Sequence, residues 1–279
     1  MNYFELKKIL EKQFLDANIE EMADIDWIIV EITGKKRSML PFIKEFSEIE
    51  LNQILDAVNK RLKHIPIGII FGKSNFYGRD FIVSHDTLIP RMDTEILIDE
   101  VIKHIKTYNR NLSILDIGTG SGAIAITLQK ETKHSLIAVD ISEKALEIAK
   151  KNAENLSAKV DFIQSNLFEN IKDLKVDFIV SNPPYIKSDV VLTLEPEVRL
   201  NEPILALDGG IDGLYFYKNI IKEARNHLSK DGMLFFEIGY DQAEELKNLM
   251  NDDFEEITVV KDYSNNDRVV YGKLRRMLW

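Results

Sequence analysis

The spacing of apolar residues changes twice along the chain, and each pattern predicts a different kind of structure. In the first part, apolar positions recur every three or four residues, as in Ile25, Ile28 and Ile29, which is the period of an α-helix. Ser47 and Glu50 form a capping-box pattern that opens a further helical stretch. We therefore predict a small helical bundle over residues 1–64.

Residues 65–90 show a second pattern, in which short apolar runs are separated by turn residues. Ile67, Ile69 and Phe81 belong to such runs, and Gly78 is one of the residues that interrupt them. Short β-branched and aromatic runs bounded by glycine are typical of β-hairpins. We predict one or two hairpins here, which link the bundle to the rest of the chain.

The remaining segment, residues 91–279, alternates between predicted strands and helices. A helix begins near Thr94, and the alternation after it is typical of a doubly wound α/β sheet. The last two strands have only a turn between them, so we expect them to form an antiparallel pair at one edge. The predicted strands are 113–117, 135–139, 159–163, 176–181, 232–238, 255–261 and 267–273, and the later helices are 121–131, 142–155, 212–228 and 240–250.

Composition narrows the class of protein. Of 279 residues, 45% are hydrophobic and 29% are charged, as in a soluble globular protein. There is no cysteine, which excludes disulfides and thiolate metal sites, and the five histidines have no metal-ligand spacing. We therefore expect no bound metal. No apolar run approaches membrane-spanning length and no signal-peptide core is visible, so we expect a cytoplasmic protein that does not bind membranes.

The formal net charge of −10 bears on the partner. A broad nucleic-acid footprint needs an excess of lysine and arginine, so we expect no stable nucleic-acid complex. The short basic run Lys35–Arg37 is interpreted as a solvated surface. An acidic enzyme suits a basic protein partner instead.

A glycine-rich loop follows the first strand of the predicted sheet. Glycines allow a tight turn and a close approach of the backbone to a ligand. Asp140 ends the second strand, where a carboxylate can accept hydrogen bonds from both ribose hydroxyls. The third strand is followed by residues suited to the edge and face of adenine. The predicted cofactor contacts are Gly118, Thr119, Gly120, Ser121, Gly122, Asp140, Asn166 and Leu167.

Two cofactors fit this pattern. Gly118, Gly120 and Ala123 satisfy a loose dinucleotide fingerprint. S-adenosyl-L-methionine, which becomes S-adenosyl-L-homocysteine after methyl transfer, shares the adenosine but has no pyrophosphate. It is favoured because Asp116 precedes the glycines within the strand and because the sheet ends in an antiparallel strand.

The fourth strand ends in Asn182-Pro183-Pro184-Tyr185. Neither proline has a backbone N–H, so this stretch offers mainly acceptors. The Asn182 side-chain oxygen and the Pro183 carbonyl are suited to accept hydrogen bonds from one NH2 group, and Tyr185 supplies an aromatic wall. We assign the catalytic and substrate-binding roles to these four residues, with Asn182 also next to the cofactor. Glu237 is interpreted as a hydrogen-bonded strand residue or an active-site wall.

With these motifs the chain resembles the HemK/PrmC family, the peptide chain release factor N(5)-glutamine methyltransferases. The resemblance covers nearly the whole chain, and includes Leu88–Arg91, Leu115–Ala125, Val139–Ser142 and Ile179–Ile186. It implies a Rossmann-like, seven-stranded class I methyltransferase domain, preceded by a helical domain that recognises the substrate and a hairpin linker. It also implies methylation of the glutamine amide in the Gly-Gly-Gln tripeptide of class-I release factors. We expect a monomer.

The chain departs from the family pattern at five positions, one of which is Leu167, where the family often has an aromatic residue. Gly68 and Ile69 replace Gln and Tyr, and Met92 and Asp93 replace Pro and Glu. These changes affect the docking of the partner and leave the methyl-transfer residues intact. The alternatives are a glutamine methyltransferase acting on a ribosomal protein, an amino-methyltransferase acting on adenine or guanine in nucleic acid, and a cofactor-binding adaptor without catalysis.

Overall fold

The structure is a computed structural model that describes residues 1–276, so residues 277–279 of the predicted catalytic domain lie outside the described residues. The described chain divides into two compact units. One unit consists of Met1–Gly72 and Glu195–Asn201. The other consists of Lys73–Leu194 and of the described residues from Glu202 onward. Within residues 1–276 no helix has both the length and the apolar character needed to cross a membrane.

The first unit is helical, as the apolar spacing predicts. Asn2 and Ser47 each cap a helix through a capping box, in which side chain and backbone exchange hydrogen bonds with the third helical residue. Leu10, Phe14 and Ile28 lie fully buried in the core of the unit. The helices are Tyr3–Asp16, Ala23–Thr33, Glu48–Arg61, Ile67–Phe71 and Pro196–Asn201, with a 3₁₀ helix at Arg37–Phe42.

The segment Ile67–Phe71 is a short helix, so the expectation of a strand there is wrong. Ile67, Ile70 and Phe71 pack against the core of the bundle, and their spacing of three and four is helical. The helix ends at Gly72, whose φ of +68° provides a left-handed C-cap. The alternation of Ile67 and Ile69 looked like a strand because a five-residue segment is too short to separate the two periods.

Arg61 explains why Glu195–Asn201 belongs to the helical unit. Its guanidinium is buried and donates to Asp24 Oδ2 and to Glu197 Oε1, both at 2.7 Å. Asn201 adds a hydrogen bond from its side chain to the carbonyl of His64 at 2.9 Å. A buried guanidinium needs its donors satisfied in fixed directions, so this ion-pair cluster holds the segment in place.

The second unit opens with the predicted hairpin, formed by β1 (Lys73–Phe76) and β2 (Arg79–Ile82). Its two-residue turn, Tyr77-Gly78, has positive φ at both positions, as a type I′ turn requires. The Asn152 side chain then bonds both the N–H and the carbonyl of Ile82, at 2.7 and 3.0 Å. The hairpin is thereby attached to the helix that contains Asn152.

The predicted alternation of strands and helices is confirmed. The strands of the sheet are β3 (Ser113–Ile117), β4 (Ser135–Asp140), β5 (Val160–Gln164), β6 (Val176–Ser181), β7 (Leu228–Glu237), β8 (Phe254–Lys261) and β9 (Asp267–Leu274). Within the described residues these seven strands have the order β5-β4-β3-β6-β7-β9-β8, and β9 runs antiparallel to both of its neighbours whereas the other pairs are parallel. The helices are Thr94–Ile105, Ala123–Thr132, Glu143–Asn155, Ser188–Val191, Tyr215–His227 and Ala243–Met250, with a 3₁₀ helix at Ile204–Ala206.

The topology of the sheet determines where a ligand can bind. From β3 the chain adds β4 and β5 on one side, and then returns to place β6 on the other side of β3. Apolar side chains cover both faces, with Ile114 and Phe178 in one core and Leu115 and Ile179 in the other. The loops that follow β3 and β6 therefore leave in opposite directions. They open a crevice at the carboxyl ends of the strands.

Candidate active site

A cavity of about 360 Å³ lies at the carboxyl ends of β3, β4, β5 and β6. Parallel strands that end at one edge bring together loops that are distant in sequence, and most of the predicted site residues meet here. Those that line the cavity are Gly118, Gly120, Asp140, Asn166, Leu167, Asn182, Pro183 and Pro184.

The glycine loop forms one wall of the cavity. The N–H groups of Gly118 and Thr119 both donate to the carbonyl of Val139, at 2.9 and 3.0 Å, which folds the loop against the end of β4. Gly118 and Gly120 have φ of +74° and +55°, and within the described structure no atom lies within 4 Å of where either Cβ would be. The backbone at these two positions therefore leaves space for a ligand to approach closely.

Asp140 stands beside the loop. One carboxylate oxygen accepts from the N–H of Gly120 at 2.8 Å, and the other accepts from the N–H of Ser142 at 2.9 Å. Burial raises the pKa of Asp140, and the backbone hydrogen bonds partly oppose that shift. Each oxygen retains a further lone pair, so the carboxylate can still accept hydrogen bonds from a ligand.

Asn182 and Pro183 line the same cavity. Ser181, the last residue of β6, donates its hydroxyl to the carbonyl of Ile117 at 2.7 Å and joins the ends of β6 and β3. Asn182 follows directly, and its Nδ2 donates to Thr94 Oγ1 at 3.4 Å. The loop that contains Asn182 and Pro183 and the glycine loop therefore line one cavity.

Comparisons with known proteins agree with this geometry. Residues 91–195 match the family described as the methyltransferase small domain. The release factor glutamine methyltransferase of Fusobacterium nucleatum subsp. nucleatum is 42% identical over 259 residues, which cover 90% of this chain and 73% of the relative. The chain belongs to the release factor glutamine methyltransferase family. The relative from Bacillus subtilis is 38% identical, with 98% of both chains covered.

Solved structures with the same fold have much lower sequence identity. The hMettl16 catalytic domain in complex with MAT2A 3'UTR hairpin 6 has a TM-score of 0.57 and 17% identity, covering 83% of this chain and 84% of that chain. The Thermus thermophilus 16S rRNA N2 G1207 methyltransferase, in complex with AdoMet and guanosine, has a TM-score of 0.52 and 15% identity over 73% and 50%. These neighbours confirm the predicted fold class, and the family confirms the prediction of a methyltransferase.

Three of the residues predicted to contact the cofactor do not line the cavity in the described structure. Thr119, Ser121 and Gly122 lie beneath the loop surface. The Thr119 hydroxyl donates to Asp116 Oδ2 at 2.6 Å, and the Ser121 carbonyl accepts from the Asn152 side chain at 2.9 Å. These contacts shape the loop from below, and a direct contact of the three residues with cofactor stays a prediction.

Asp116 is fully buried under the same loop. Burial raises its pKa to about 7, and the hydrogen bond from Thr119 partly opposes the shift. Its Oδ1 has no hydrogen-bond partner among residues 1–276. The sequence singled out Asp116 as a cofactor discriminator, and its position shows that it supports the turn rather than lining the cavity.

Gly122 carries the tightest steric constraint in the loop. Its φ is +83°, and an added Cβ would lie 2.8 Å from Ile126 Cδ1 and 3.1 Å from Ala149 Cβ. We expect Gly122→Ala to lower the free energy of unfolding by about 2–4 kcal/mol, because a left-handed backbone and an overpacked contact add together. Urea-induced unfolding measures the change.

Gly118→Ala is the matched control, since Gly118 also has positive φ but has open space at the Cβ position. Its expected cost is about 1–2 kcal/mol, from the backbone alone. Equal losses in the two variants would mean that the contact with Ala149 contributes nothing.

Tyr185 also lies outside the set of lining residues in the described structure, although it packs beside them. Its carbonyl accepts from Gln242 Nε2 at 3.1 Å, and burial raises the pKa of its phenol to about 12. A Cβ on Gly213 would lie 2.5 Å from the Tyr185 carbonyl, and one on Gly209 would lie 2.7 Å from Tyr185 Cα. These two glycines are required because the backbone of Tyr185 passes directly over them.

The sequence analysis missed several residues that line the cavity. Many of them come from three segments that lie outside the strand ends, so no strand signal identified them. Tyr215 and Phe216 begin the helix that follows Gly213, and the others in these segments are Asp86, Thr87, Leu88, Pro203, Leu205, Ala206 and Ile220. Ile141, Ser142 and Ala145, which follow β4, also line the cavity. Leu88 belongs to the motif Leu88–Arg91, and this motif could have identified one of these segments as part of the site.

Proposed function

We propose that this chain transfers the methyl group of S-adenosyl-L-methionine to the side-chain amide nitrogen of the glutamine in the Gly-Gly-Gln tripeptide of class-I release factors. One observation carries the proposal: a single cavity is lined by a first set of residues, Gly118, Gly120 and Asp140, and by a second set, Asn182 and Pro183. Donor and acceptor sites therefore share one space. Three relatives that are 38–42% identical are named release factor glutamine methyltransferase, which supports the proposal.

The first set of residues suits S-adenosyl-L-methionine, which supplies an electrophilic methyl group when bound. Gly118 and Gly120 leave room for close approach, and Asp140 offers carboxylate lone pairs for the ribose hydroxyls. Asn166 and Leu167 line the cavity at the end of β5, where we place adenine. The lining is mainly apolar, as suits a ligand without a pyrophosphate.

The second set, Asn182 and Pro183, suits a primary amide. The nitrogen of an amide is a weak nucleophile, because its lone pair is delocalised into the carbonyl. Asn182 Oδ1 and the Pro183 carbonyl can each accept one N–H of the glutamine and so aim its nitrogen into the cavity. Ideal positioning of two reacting groups can contribute about 7–11 kcal/mol to lowering a barrier.

The chemistry does not require a strong base in the acceptor motif. The amide nitrogen gains the methyl group first, and the methylated nitrogen then releases its extra proton to water. Asn182, Pro183 and Pro184 have no basic side chain. Their role is to hold and orient the amide.

Methyl transfer from labelled S-adenosyl-L-methionine tests the proposal. The substrates are a purified class-I release factor and its Gln→Ala variant in the Gly-Gly-Gln tripeptide. We expect label on the intact factor and none on the variant. Label on both proteins would place the methyl group elsewhere and overturn the glutamine assignment.

Two further substrates separate the alternatives. Label on ribosomal proteins or on nucleic acid, with none on the release factor, would replace the proposed partner. A short Gly-Gly-Gln peptide should be a poorer substrate than the whole factor, since we propose that the helical unit adds contacts to the protein. That unit has exposed apolar side chains suited to a protein surface, namely Phe4, Leu15, Trp27, Phe42 and Ile49.

A further inference from the structure

Asn182 and Glu237 lie side by side at the carboxyl ends of β6 and β7. In the parallel pair of β6 and β7, Ser181 is in register with Phe236, so the next residues on the two strands are neighbours. Glu237 is only 2% exposed, and its Oε2 has no hydrogen-bond partner among the described residues. A buried carboxylate with an unused oxygen thus stands next to the amide that faces the cavity.

Thr94 connects the two side chains. It begins the helix Thr94–Ile105, is 4% exposed, and accepts from Asn182 Nδ2 through Oγ1 at 3.4 Å. Hydrogen bonding from the side chains of Thr94 and Asn182 lowers the pKa of the Glu237 carboxyl and so favours its ionised form, against the larger effect of burial. A hydroxyl has one proton to donate. When Thr94 donates it to the Glu237 carboxylate, its own oxygen can only accept from Asn182.

This direction of hydrogen bonding determines which end of the Asn182 amide faces the cavity. An ionised carboxylate is an acceptor only, so it requires the Thr94 proton and thereby requires the nitrogen end of Asn182. Oδ1 is then left for the cavity. Without this constraint the Thr94 hydroxyl is free to donate to Oδ1, and a flipped Asn182 would present N–H groups to the N–H groups of an acceptor amide.

We propose that Glu237 is a positioning residue for methyl transfer, which fixes the Asn182 amide through Thr94 so that Oδ1 faces the acceptor. The proposal rests on the proposed function for its catalytic consequence. Its structural part, the link from Glu237 to the orientation of Asn182, concerns this chain alone.

Of the charged groups around Glu237, Arg268 favours the ionised carboxylate and Asp93 disfavours it. Arg268 on β9 attracts the carboxylate, and it also bonds Asp262 and Asp93 at 3.1 and 3.2 Å. Tyr217, on the helix beside β7, donates its hydroxyl to the Glu237 carbonyl at 2.8 Å, and the phenol of Tyr185 lies nearby. Burial is the largest influence and raises the pKa of Glu237 to about 7.

The pH dependence follows from the sign of that shift. Above pH 7 the carboxylate accepts the Thr94 proton and the Asn182 orientation is fixed. Below pH 7 Glu237 is protonated and donates to Thr94, which frees the Thr94 proton for Asn182 Oδ1. The rate of methyl transfer should therefore fall as the pH is lowered through about 7.

Glu237→Gln tests the proposal through the reaction. We expect about a tenfold lower kcat, since a neutral side chain no longer enforces one orientation, and one lost hydrogen-bond preference is worth about this factor. The acidic limb near pH 7 should disappear, while S-adenosyl-L-homocysteine binds with unchanged affinity. Thr94→Val removes the link through the hydroxyl and should lower kcat in the same direction. Glu244→Gln, at an exposed position, is the matched control.

A double-variant comparison separates positioning from loss of structure. In an Asn182→Ala background, Glu237→Gln should cause no further loss of rate, because its target is already absent. A full additional loss, or an acidic limb that persists in Glu237→Gln, would overturn the proposal. The buried Asp116 has a similar pKa, and a persisting limb would point to it instead.

The side-chain ¹⁵N signals of Asn182 test the link without any acceptor. Their assignment follows from their loss in Asn182→Ala, and they should shift with a midpoint near pH 7 in the parent protein but not in Glu237→Gln. Signals that titrate identically in both proteins overturn the inference even if the release factor is methylated. Failure of the parent protein to methylate the factor overturns the proposed function, and the signals still decide the link.

Discussion

Asn182→Ala should lower the rate of methyl transfer by about 10²–10³-fold, the range seen when one preorganised hydrogen-bonding group is removed from an active site. The substitution removes Oδ1, which we propose as an acceptor for one N–H of the glutamine, and leaves the Pro183 carbonyl alone to orient the amide. Single-turnover kinetics at saturating S-adenosyl-L-methionine measures the chemical step.

The same variant should still bind S-adenosyl-L-homocysteine. Asn182 belongs to a different loop from Gly120 and Asp140, so its loss leaves the main proposed cofactor contacts in place. Asn226→Ala, on the surface of the helix Tyr215–His227, is the matched control and should retain the full rate. A rate close to that of the parent protein in Asn182→Ala would exclude the acceptor role.

Asp140→Ala should raise the Kd for S-adenosyl-L-homocysteine by about 10–100-fold, because hydrogen bonds to a charged group contribute about 1.5–3 kcal/mol. The change removes the acceptor that we assign to the ribose hydroxyls. It also removes the acceptor for the N–H groups of Gly120 and Ser142, which shape the loop. Isothermal titration calorimetry measures the affinity directly.

The pattern of effects should be the reverse of that for Asn182→Ala. At saturating cofactor the rate of methyl transfer by Asp140→Ala should approach that of the parent protein, since Asn182 and Pro183 are unchanged. Asp161→Ala, at an exposed position of β5, is the matched control and should leave the Kd unchanged. An unaltered Kd in Asp140→Ala would contradict the ribose assignment.

Acidification provides a second observable for Asp140. Burial raises its pKa, so its carboxylate is protonated at a higher pH than that of an exposed aspartate. Protonation removes acceptor capacity, and cofactor affinity should therefore begin to fall at a higher pH than an ordinary aspartate would cause. Asp140→Ala should lack this part of the pH dependence.

The sequence determined the elements of the catalytic unit with little ambiguity. Strands such as Val176–Ser181 are short apolar runs that end in turn residues, and the helices between them have clear periodicity. Because the carboxyl ends of parallel strands meet at one edge, the residues that follow β3, β4, β5 and β6 were expected to meet there, and they do. The cofactor and acceptor assignments of these residues stay predictions.

The sequence was less informative where an element is short or a role depends on a distant partner. Ile67–Phe71 fits both a helical and an alternating pattern, and only its packing against the bundle selects the helix. Thr119 and Ser121 stand in the glycine motif beside residues that line the cavity. Their neighbours Asp116 and Asn152 hold them below the loop surface, which no local pattern shows.

By itself, then, the sequence determined the helical first unit, the alternating α/β sheet and the two loops that line the cavity, because periodicity and turn residues are local properties. Tertiary structure alone decided that Glu195–Asn201 joins the helical unit and that Thr94 and Glu237 stand behind Asn182. Those relations depend on strand register and on buried charges that need partners, and both are set by residues far apart in the chain.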